Sequence, residues 1–320
     1  MRPSVALDMK RGAVREAVIR FATSMSARSF PTCVRSISIA VLACTSLLGK
    51  PACAMDVGIL AREVAQEESS LQARIGVAVI DTGTGQIWQH RGEERFPLNS
   101  THKAFTCAAV LAQADNKKIR MDLPILINRE ALVRYSPVTG KVPSGGSQSL
   151  RELCRAAVSV SDNTAANLAL NAIGGPPSFT TFMRSMGDNE TRLDRLEPEL
   201  NEANPGDARD STTPLAAARS LQKLLLGDFL STTARTELTQ WMLDDQVADA
   251  LLRAGLPKDW RIADKSGAGG HGSRSIIAVI WPPERSAVVI AIYITQTTAS
   301  MSASNQAVSR IGSALAKAMP

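Results

Sequence analysis

Ser100-Thr101-His102-Lys103 sets a hydroxyl three residues before an amine, a spacing that brings both onto one face when the segment opens a helix. Such a pair can make a nucleophile, because the lysine can help deprotonate the serine. Pro97 and Asn99 precede it as helix-entry residues. Ala104 to Ala112 follows as an almost unbroken helix-favouring apolar run, so a helix is predicted to begin here. At that positive end, unpaired N–H groups and aligned peptide dipoles favour a developing negative charge. Spacing alone does not decide the matter. Ser220-Leu221-Gln222-Lys223 repeats it inside an amphipathic pattern with Leu221, Leu224 and Leu225, where nothing marks a helix start, and reads as ordinary helix surface.

Three further stretches carry polar chemistry. Ser161-Asp162-Asn163 interrupts the small-residue run Ala156 to Ala169, where a polar turn is either a helix cap or a group facing a cleft. Lys265-Ser266-Gly267-Ala268-Gly269-Gly270 ends an apolar strand pattern, and its glycines let a bound molecule approach the backbone closely. Taken alone it reads as a hairpin turn. Glu197-Pro198-Glu199-Leu200-Asn201 sets a carboxylate four residues before an amide, a pair able to hold one water between them. Glu197 is the candidate base and Glu199 its rival.

These segments must be positioned by the rest of the chain. Residues 1–54 read as an export leader: Arg28 and Arg35 precede the apolar run Ser36 to Gly49, and Ala52-Cys53-Ala54 fits small-residue cleavage before Met55. The run is about 13 residues, short of the roughly 20 that span a bilayer. Val41 to Cys44 imperfectly matches a lipoprotein signal, which leaves a lipid anchor as an alternative. Eight of the 36 basic residues and two of the 30 acids precede Met55, so the remainder carries 28 of each. The net positive charge therefore belongs to the leader, and the sequence offers no reason for nucleic acid or membrane as a partner. Of five cysteines, Cys107 and Cys154 remain, and an exported pair is expected to form a disulfide. With only three histidines and no Cys/His cluster, no metal site and no cofactor is expected.

The pattern after Met55 predicts a helix over 57–71 and strands over 75–81 and 86–90. A largely helical middle spans 100 to about 245. Strands at 260–265, 275–281 and 286–295 and a closing helix at 303–318 complete the chain. Strands from both ends with helices between them imply one sheet closed by the two termini, with a helical part inserted and a cleft between.

A Ser-x-x-Lys at a helix start, then Ser-Asp-Asn, then Lys-Ser-Gly on a strand, in that order, resembles the class A serine β-lactamases. Tyr135-Ser136-Pro137-Val138-Thr139, the run Ser161 to Asn167, Glu197 to Asn201 and Gly272-Ser273-Arg274 extend the likeness over essentially the whole mature chain. Ala73 to Val77 with Arg95 to Leu98 look most like the carbenicillin-hydrolysing penicillinases, many of which carry arginine where Lys265 stands.

The resemblance implies the β-lactamase/D,D-peptidase fold, an α/β (α+β) arrangement. A five-stranded antiparallel sheet from both termini is flanked by helices (55–98 and 246–320), with an all-helical lobe inserted (99–245). It further implies that Ser100 is the nucleophile, with backbone N–H groups of Ser100 and Ala268 on the oxyanion. Ser161 relays a proton beside Lys103 and Lys265, and Asn163 holds the substrate's side-chain amide. Lys265, Ser266 and Arg274 bind its carboxylate along the Gly267 backbone, Tyr135 forms a wall, and Glu197 with Asn201 activates the deacylating water. A cis Glu197–Pro198 bond and an Arg195–Asp210 ion pair, assisted by Asp207, are expected around that loop.

A monomer, periplasmic or secreted, acting on a small-molecule β-lactam follows from the same likeness. Asn99 and Gly269 stand where many carbapenemases of the class pair two cysteines, so carbapenem hydrolysis is not expected. A D,D-peptidase or other penicillin-binding enzyme shares the three motifs but needs no deacylating Glu and Asn. A penicillin-sensing domain would be joined to a membrane segment and a signalling module.

Overall fold

The computed structural model describes residues 54–319, so the expected leader lies, apart from Ala54, outside the described residues. The chain begins with α1 (Val57–Leu71), whose first turn is capped by the Asp56 carboxylate and whose Leu60, Val64 and Leu71 point inward. Then come β1 (Arg74–Asp81), β2 (Ile87–His90) and the two-residue β3 (Phe96–Pro97). The middle holds α2 (His102–Asp115), β4 (Pro124–Leu126), β5 (Ser147–Ser149), α3 (Leu150–Ser159), α4 (Asn163–Ala172), α5 (Gly175–Ser185), β6 (Ser211–Thr212), α6 (Pro214–Leu225) and α7 (Thr232–Leu243). The chain closes with α8 (Leu252–Gly255), β7 (Arg261–Ala268), β8 (Arg274–Trp281), β9 (Val288–Thr295) and α9 (Met301–Ala318).

The main sheet is antiparallel, with five strands in the order β2-β1-β9-β8-β7, drawn from both ends of the chain as expected. Its inner strands are buried on both faces and read as continuous apolar runs. Side chains alternate between two cores because successive residues of a strand point to opposite faces. Val77, Val79, Ile290 and Ile292 pack with Leu60, Val308, Ile311 and Leu315 of α1 and α9. On the other face Ala78, Ile80, Val289, Ala291 and Tyr293 join a core that runs through α6 and the helical part to Phe105, Leu153 and Phe179. The short pairs β3–β6 and β4–β5 were not expected from the sequence pattern, which is too brief there to show a period.

Two other expectations need correction. Lys265 does not end its strand: β7 continues to Ala268, paired Ser266↔Ile276, Gly267↔Ser275 and Ala268↔Arg274. The glycine marks a close backbone approach to another segment and not a strand end. The expected disulfide is also not formed. Cys107 and Cys154 lie side by side on α2 and α3 as free, fully buried thiols, and Cys107 Sγ donates to the Cys154 carbonyl at 3.6 Å. Burial raises the Cys154 pKa and so disfavours the thiolate that disulfide exchange requires.

Candidate active site

Ser100 lies in a single 3₁₀ turn, Asn99–Thr101, immediately before α2, and Asn99 takes φ 48° to make the entry. The expected helix start is therefore present, with Ser100 just outside its first α-helical residue. The edge strand β7, buried along most of its length, runs against this turn. A Cβ on Gly267 would stand 2.6 Å from the Ser100 backbone nitrogen and 2.8 Å from Asn99 Cβ, so only glycine permits the approach.

A cavity of about 390 Å³ opens here, lined by Ser100, Tyr135, Ser161, Asn163, Asn201, Ser266, Gly267, Ala268 and Arg274, with Val247 and Met301 at its margin. Segments separated by more than 150 residues in sequence thus converge on one hydroxyl. Tyr135 is 54% exposed at the rim. Its carbonyl accepts the Asn163 backbone N–H at 3.0 Å.

Ser161 and Asn163 flank Asp162, which is both helix cap and brace, so the two sequence readings of this turn coexist. Asp162 Oδ1 accepts the Ala165 N–H at 2.8 Å and the Thr139 hydroxyl at 2.8 Å, while Oδ2 accepts the Val138 and Thr139 N–H groups at 2.9 Å. One buried carboxylate therefore fixes the Tyr135 loop to α4.

Beneath the cavity lies the charged centre. Lys103 is fully buried, and its ammonium donates to the Ser161 carbonyl at 2.9 Å, Ser161 Oγ at 3.3 Å and Asn163 Oδ1 at 2.5 Å. It also meets Glu197 Oε1 at 3.0 Å. Burial pushes the Lys103 pKa down against the pull of Glu197. Burial alone would raise Glu197, but the Lys103 charge, with hydrogen bonds from His102 and Lys103, holds its carboxyl at about 2.

Glu197 is seated by a reciprocal pair: its backbone N–H donates to Asn167 Oδ1 and its carbonyl accepts from Asn167 Nδ2, each at 2.9 Å. Asn201 Nδ2 donates to Glu197 Oε2, and Asn201 Oδ1 is buried without a partner among the described residues. The Glu197–Pro198 bond is cis. Glu199, the rival, lies in the following 3₁₀ turn and outside the cavity lining.

The loop is closed as expected by Arg195 Nε donating to Asp210 Oδ2 at 2.6 Å. Arg195 also pairs with Glu202 at 2.6 Å, and the expected help from Asp207 is the more distant contact. Asp207 stands 3.9 Å away and pairs with Arg209 at 2.7 Å.

On the β7 side, Lys265 is fully buried below the cavity and does not line it. Its ammonium donates to the Ser266 carbonyl at 2.9 Å and faces Asp245 at 3.8 Å. Burial pulls its pKa down to about 8, against the carboxylate of Asp245. Arg274 spans Asn305 Oδ1 and the Gly267 carbonyl, each at 2.8 Å, and burial lowers its pKa to about 10.

The repeated Ser-x-x-Lys behaves differently, and its description as helix surface holds for the exposed Lys223 but needs correction for Ser220. Ser220 is only 2% exposed, its hydroxyl donates to Asp188 Oδ2 at 2.8 Å, and Lys223 donates to the Met186 carbonyl at 2.5 Å. Both line a larger concavity of about 500 Å³ remote from Ser100, but neither group is free for chemistry. The sequence reading gave no separate part to His102, Asp162, Asn167 or Asp245. His102 was visible as a histidine inside the Ser-x-x-Lys stretch. Asp245 carried no signal.

Residues 59–319 match the family model described as the β-lactamase enzyme family. The chain is 58% identical over 274 residues to β-lactamase AER-1 of Aeromonas hydrophila, covering 85% of this chain and 90% of that one. It is 48% identical over 251 residues to β-lactamase CARB-3 of Pseudomonas aeruginosa, covering 78% and 87%. Among solved structures, an ancestral class A β-lactamase superposes with TM-score 0.79 at 50% identity, covering 81% and 99%. The chromosome-encoded β-lactamase of Vibrio parahaemolyticus does so with TM-score 0.77 at 47% identity, covering 79% and 96%.

Proposed function

The chain belongs to the β-lactamase enzyme family as a class A serine β-lactamase, and from that premise we propose how its residues hydrolyse the β-lactam amide of a penicillin. The Ser100 hydroxyl attacks the lactam carbonyl carbon as its proton passes into the Lys103–Glu197 pair. The backbone N–H groups of Ser100 and Ala268 receive the oxyanion, a contribution of typically about 3 kcal/mol for each donor. As the carbon–nitrogen bond breaks, the Ser161 hydroxyl gives the nitrogen its proton and is resupplied from Lys103. Arg274, Ser266 and the positive charge of Lys265 attract the substrate carboxylate. Tyr135 bounds the acyl side chain, and Asn163 orients its amide.

Release needs a second attack. Glu197 takes a proton from a water held between its carboxylate and the unpaired Asn201 Oδ1. The hydroxide oxygen bonds to the acyl carbon, and Ser100 Oγ leaves with a proton. This Glu197–Asn201 pair beside the nucleophile is the observation that carries the reading, because a penicillin-binding enzyme that stalls as an adduct has no use for it. We place the enzyme outside the cytoplasm, as a monomer freed by cleavage near Ala54, with carboxypenicillins among its substrates. Among the described residues no helix is long and apolar enough to cross a membrane. Its activity confers β-lactam resistance.

The test is Glu197→Ala. With nucleophile and oxyanion donors intact it should acylate and then stall, since a positioned base contributes about 10² to 10⁴-fold. Intact-protein mass spectrometry after one turnover should show a lasting penicilloyl adduct. Ser100→Ala should show none, and Ser220→Ala should turn over like wild type. Wild-type turnover by Glu197→Ala, or a long-lived adduct on wild type, would favour the penicillin-binding reading.

A further inference from the structure

His102 opens α2 and is fully buried, beside Lys103. An imidazole has no cause to be there unless its two nitrogens are satisfied, because a buried polar group without a partner is costly. Nδ1 lies 3.1 Å from Thr106 Oγ1, one turn along the helix, and Nε2 lies 3.4 Å from Glu197 Oε1, 95 residues away in sequence. The ring stacks edge-on against Phe179, with centroids 6.4 Å apart. A phenylalanine would keep that contact and lose both polar ones.

The tautomer follows from the partners. A carboxylate only accepts, so Nε2 carries the hydrogen, and Nδ1 accepts from the Thr106 hydroxyl. Burial keeps the ring neutral against the attraction of Glu197 and, more distantly, Asp210. An ionised carboxylate offers about four lone-pair sites. On Glu197 Oε1 two are taken, by Lys103 Nζ at 3.0 Å and by His102 Nε2; on Oε2 one is taken, by Asn201 Nδ2. The site left over is on Oε2, the oxygen that meets the amide of Asn201, whose unpartnered Oδ1 is buried and whose residue lines the cavity.

We propose that His102 is a positioning residue for the base: its Nε2–H closes Glu197 Oε1, so that Oε2 alone takes the proton from the deacylating water. The inference rests on the reading of Glu197 as that base. It also gives the carboxylate an anchor that does not depend on Lys103, whose own proton is in play during acylation. The charged or titratable groups around the pair are Lys103 and Cys107 on α2, Asp162 before α4, and Asp210 with its partner Arg195 at the loop ends. Of these, Lys103 reaches the Glu197 carboxylate itself, at 3.0 Å.

The experiment compares His102→Phe and His102→Gln with wild type, using the pH dependence of kcat on a penicillin. Removing a donor from the ionised form raises a carboxyl pKa, so in His102→Phe the acid limb should move up by about one pH unit. At neutral pH kcat should fall about three- to ten-fold through misplacement of the base, while KM stays near wild type. Glutamine can present an amide N–H to the same oxygen and should restore most of both. An acid limb and kcat unchanged in His102→Phe, with only heat stability altered, would reduce His102 to core filling and overturn the proposal. Should neither variant fold, ¹⁵N NMR of the wild-type ring decides: an Nε2–H neutral imidazole supports the assignment, and an Nδ1–H ring refutes it. Glu197→Ala serves as the separate arm. A stalled adduct there with His102→Phe unmoved would sink the positioning role alone, whereas free turnover by Glu197→Ala would remove the base reading beneath it.

Discussion

Asp210→Asn tests whether the loop that carries Glu197 is held by charge. Asp210 is 1% exposed. Its Oδ2 accepts Arg195 Nε at 2.6 Å, and its Oδ1 accepts the Asp194 and Arg195 backbone N–H groups at 2.7 and 2.9 Å. Its carbonyl accepts the Leu98 N–H at 2.9 Å, so the residue joins the loop of Glu197 to the chain entering the Ser100 turn. Breaking a buried ion pair from one side costs about 3 to 5 kcal/mol. Here the cost should be lower, about 2 to 3 kcal/mol, because Arg195 is partly exposed and keeps Glu202, and an asparagine oxygen can still accept the two N–H groups. At roughly 2 to 4 °C per kcal/mol for a domain of this size, Tm should drop about 5 to 10 °C.

Displacing a base by about 1 Å can cost on the order of 10²-fold, so even a partial loosening should slow deacylation of good penicillins about ten-fold. Stopped-flow hydrolysis should then show a burst of acylation before a slower steady state, and bulkier cephalosporins should lose less rate than penicillins. A variant that melts early yet keeps wild-type kinetics on every substrate would confine the pair to stability. One that melts with wild type would show that the charge holds nothing.

Two other outcomes follow from the β7 edge. Gly267→Ala should fold with the Ser100 turn pushed aside, since the added methyl would sit 2.6 Å from the Ser100 nitrogen and 2.7 Å from Ser275 Oγ; acylation by penicillin should fall at least about 10²-fold, and an unchanged rate would show that the approach of β7 is not needed. Lys265, with its pKa pulled from 10.5 to about 8 by burial, is charged below that value and neutral above it. KM for a penicillin should therefore rise as pH passes through about 8 and level off in Lys265→Arg, whose guanidinium stays charged. The linkage sign is opposite for stability. Between about 8 and 10.5 the unfolded chain binds more protons, so the cost of the buried ammonium is relieved as pH rises. A flat KM across this range would take the Lys265 charge out of substrate binding.

Much of the site was legible in the sequence wherever local backbone geometry fixes the relation between residues. Ser100 and Lys103 fall on one turn at the start of α2 because three residues make about one helical turn, and Glu197 and Asn201 lie close because only three residues separate them in the chain. The sheet strands showed as apolar runs for the same kind of reason: strands buried on both faces need apolar side chains throughout. Residues 1–54 hold the excess of basic residues by composition alone.

What local geometry cannot fix is which distant group a side chain meets. Ser100-x-x-Lys103 and Ser220-x-x-Lys223 are the same pattern. They differ because Asp188 and the Met186 carbonyl occupy the second pair, whereas Glu197 and Ser161 gather round Lys103 and leave the Ser100 hydroxyl facing a cavity. His102 had no assigned part in the sequence, and its partner is a carboxylate on a loop 95 residues away. The run of β7 past Gly267 and the free thiols of Cys107 and Cys154 were likewise set by packing between segments remote in sequence. The sequence by itself determined which residues share a turn or a strand face, because the repeat of the backbone is a local property. The tertiary structure alone decided their hydrogen-bond partners, burial and proton affinities, because those depend on side chains brought within a few ångströms by the folding of the whole chain.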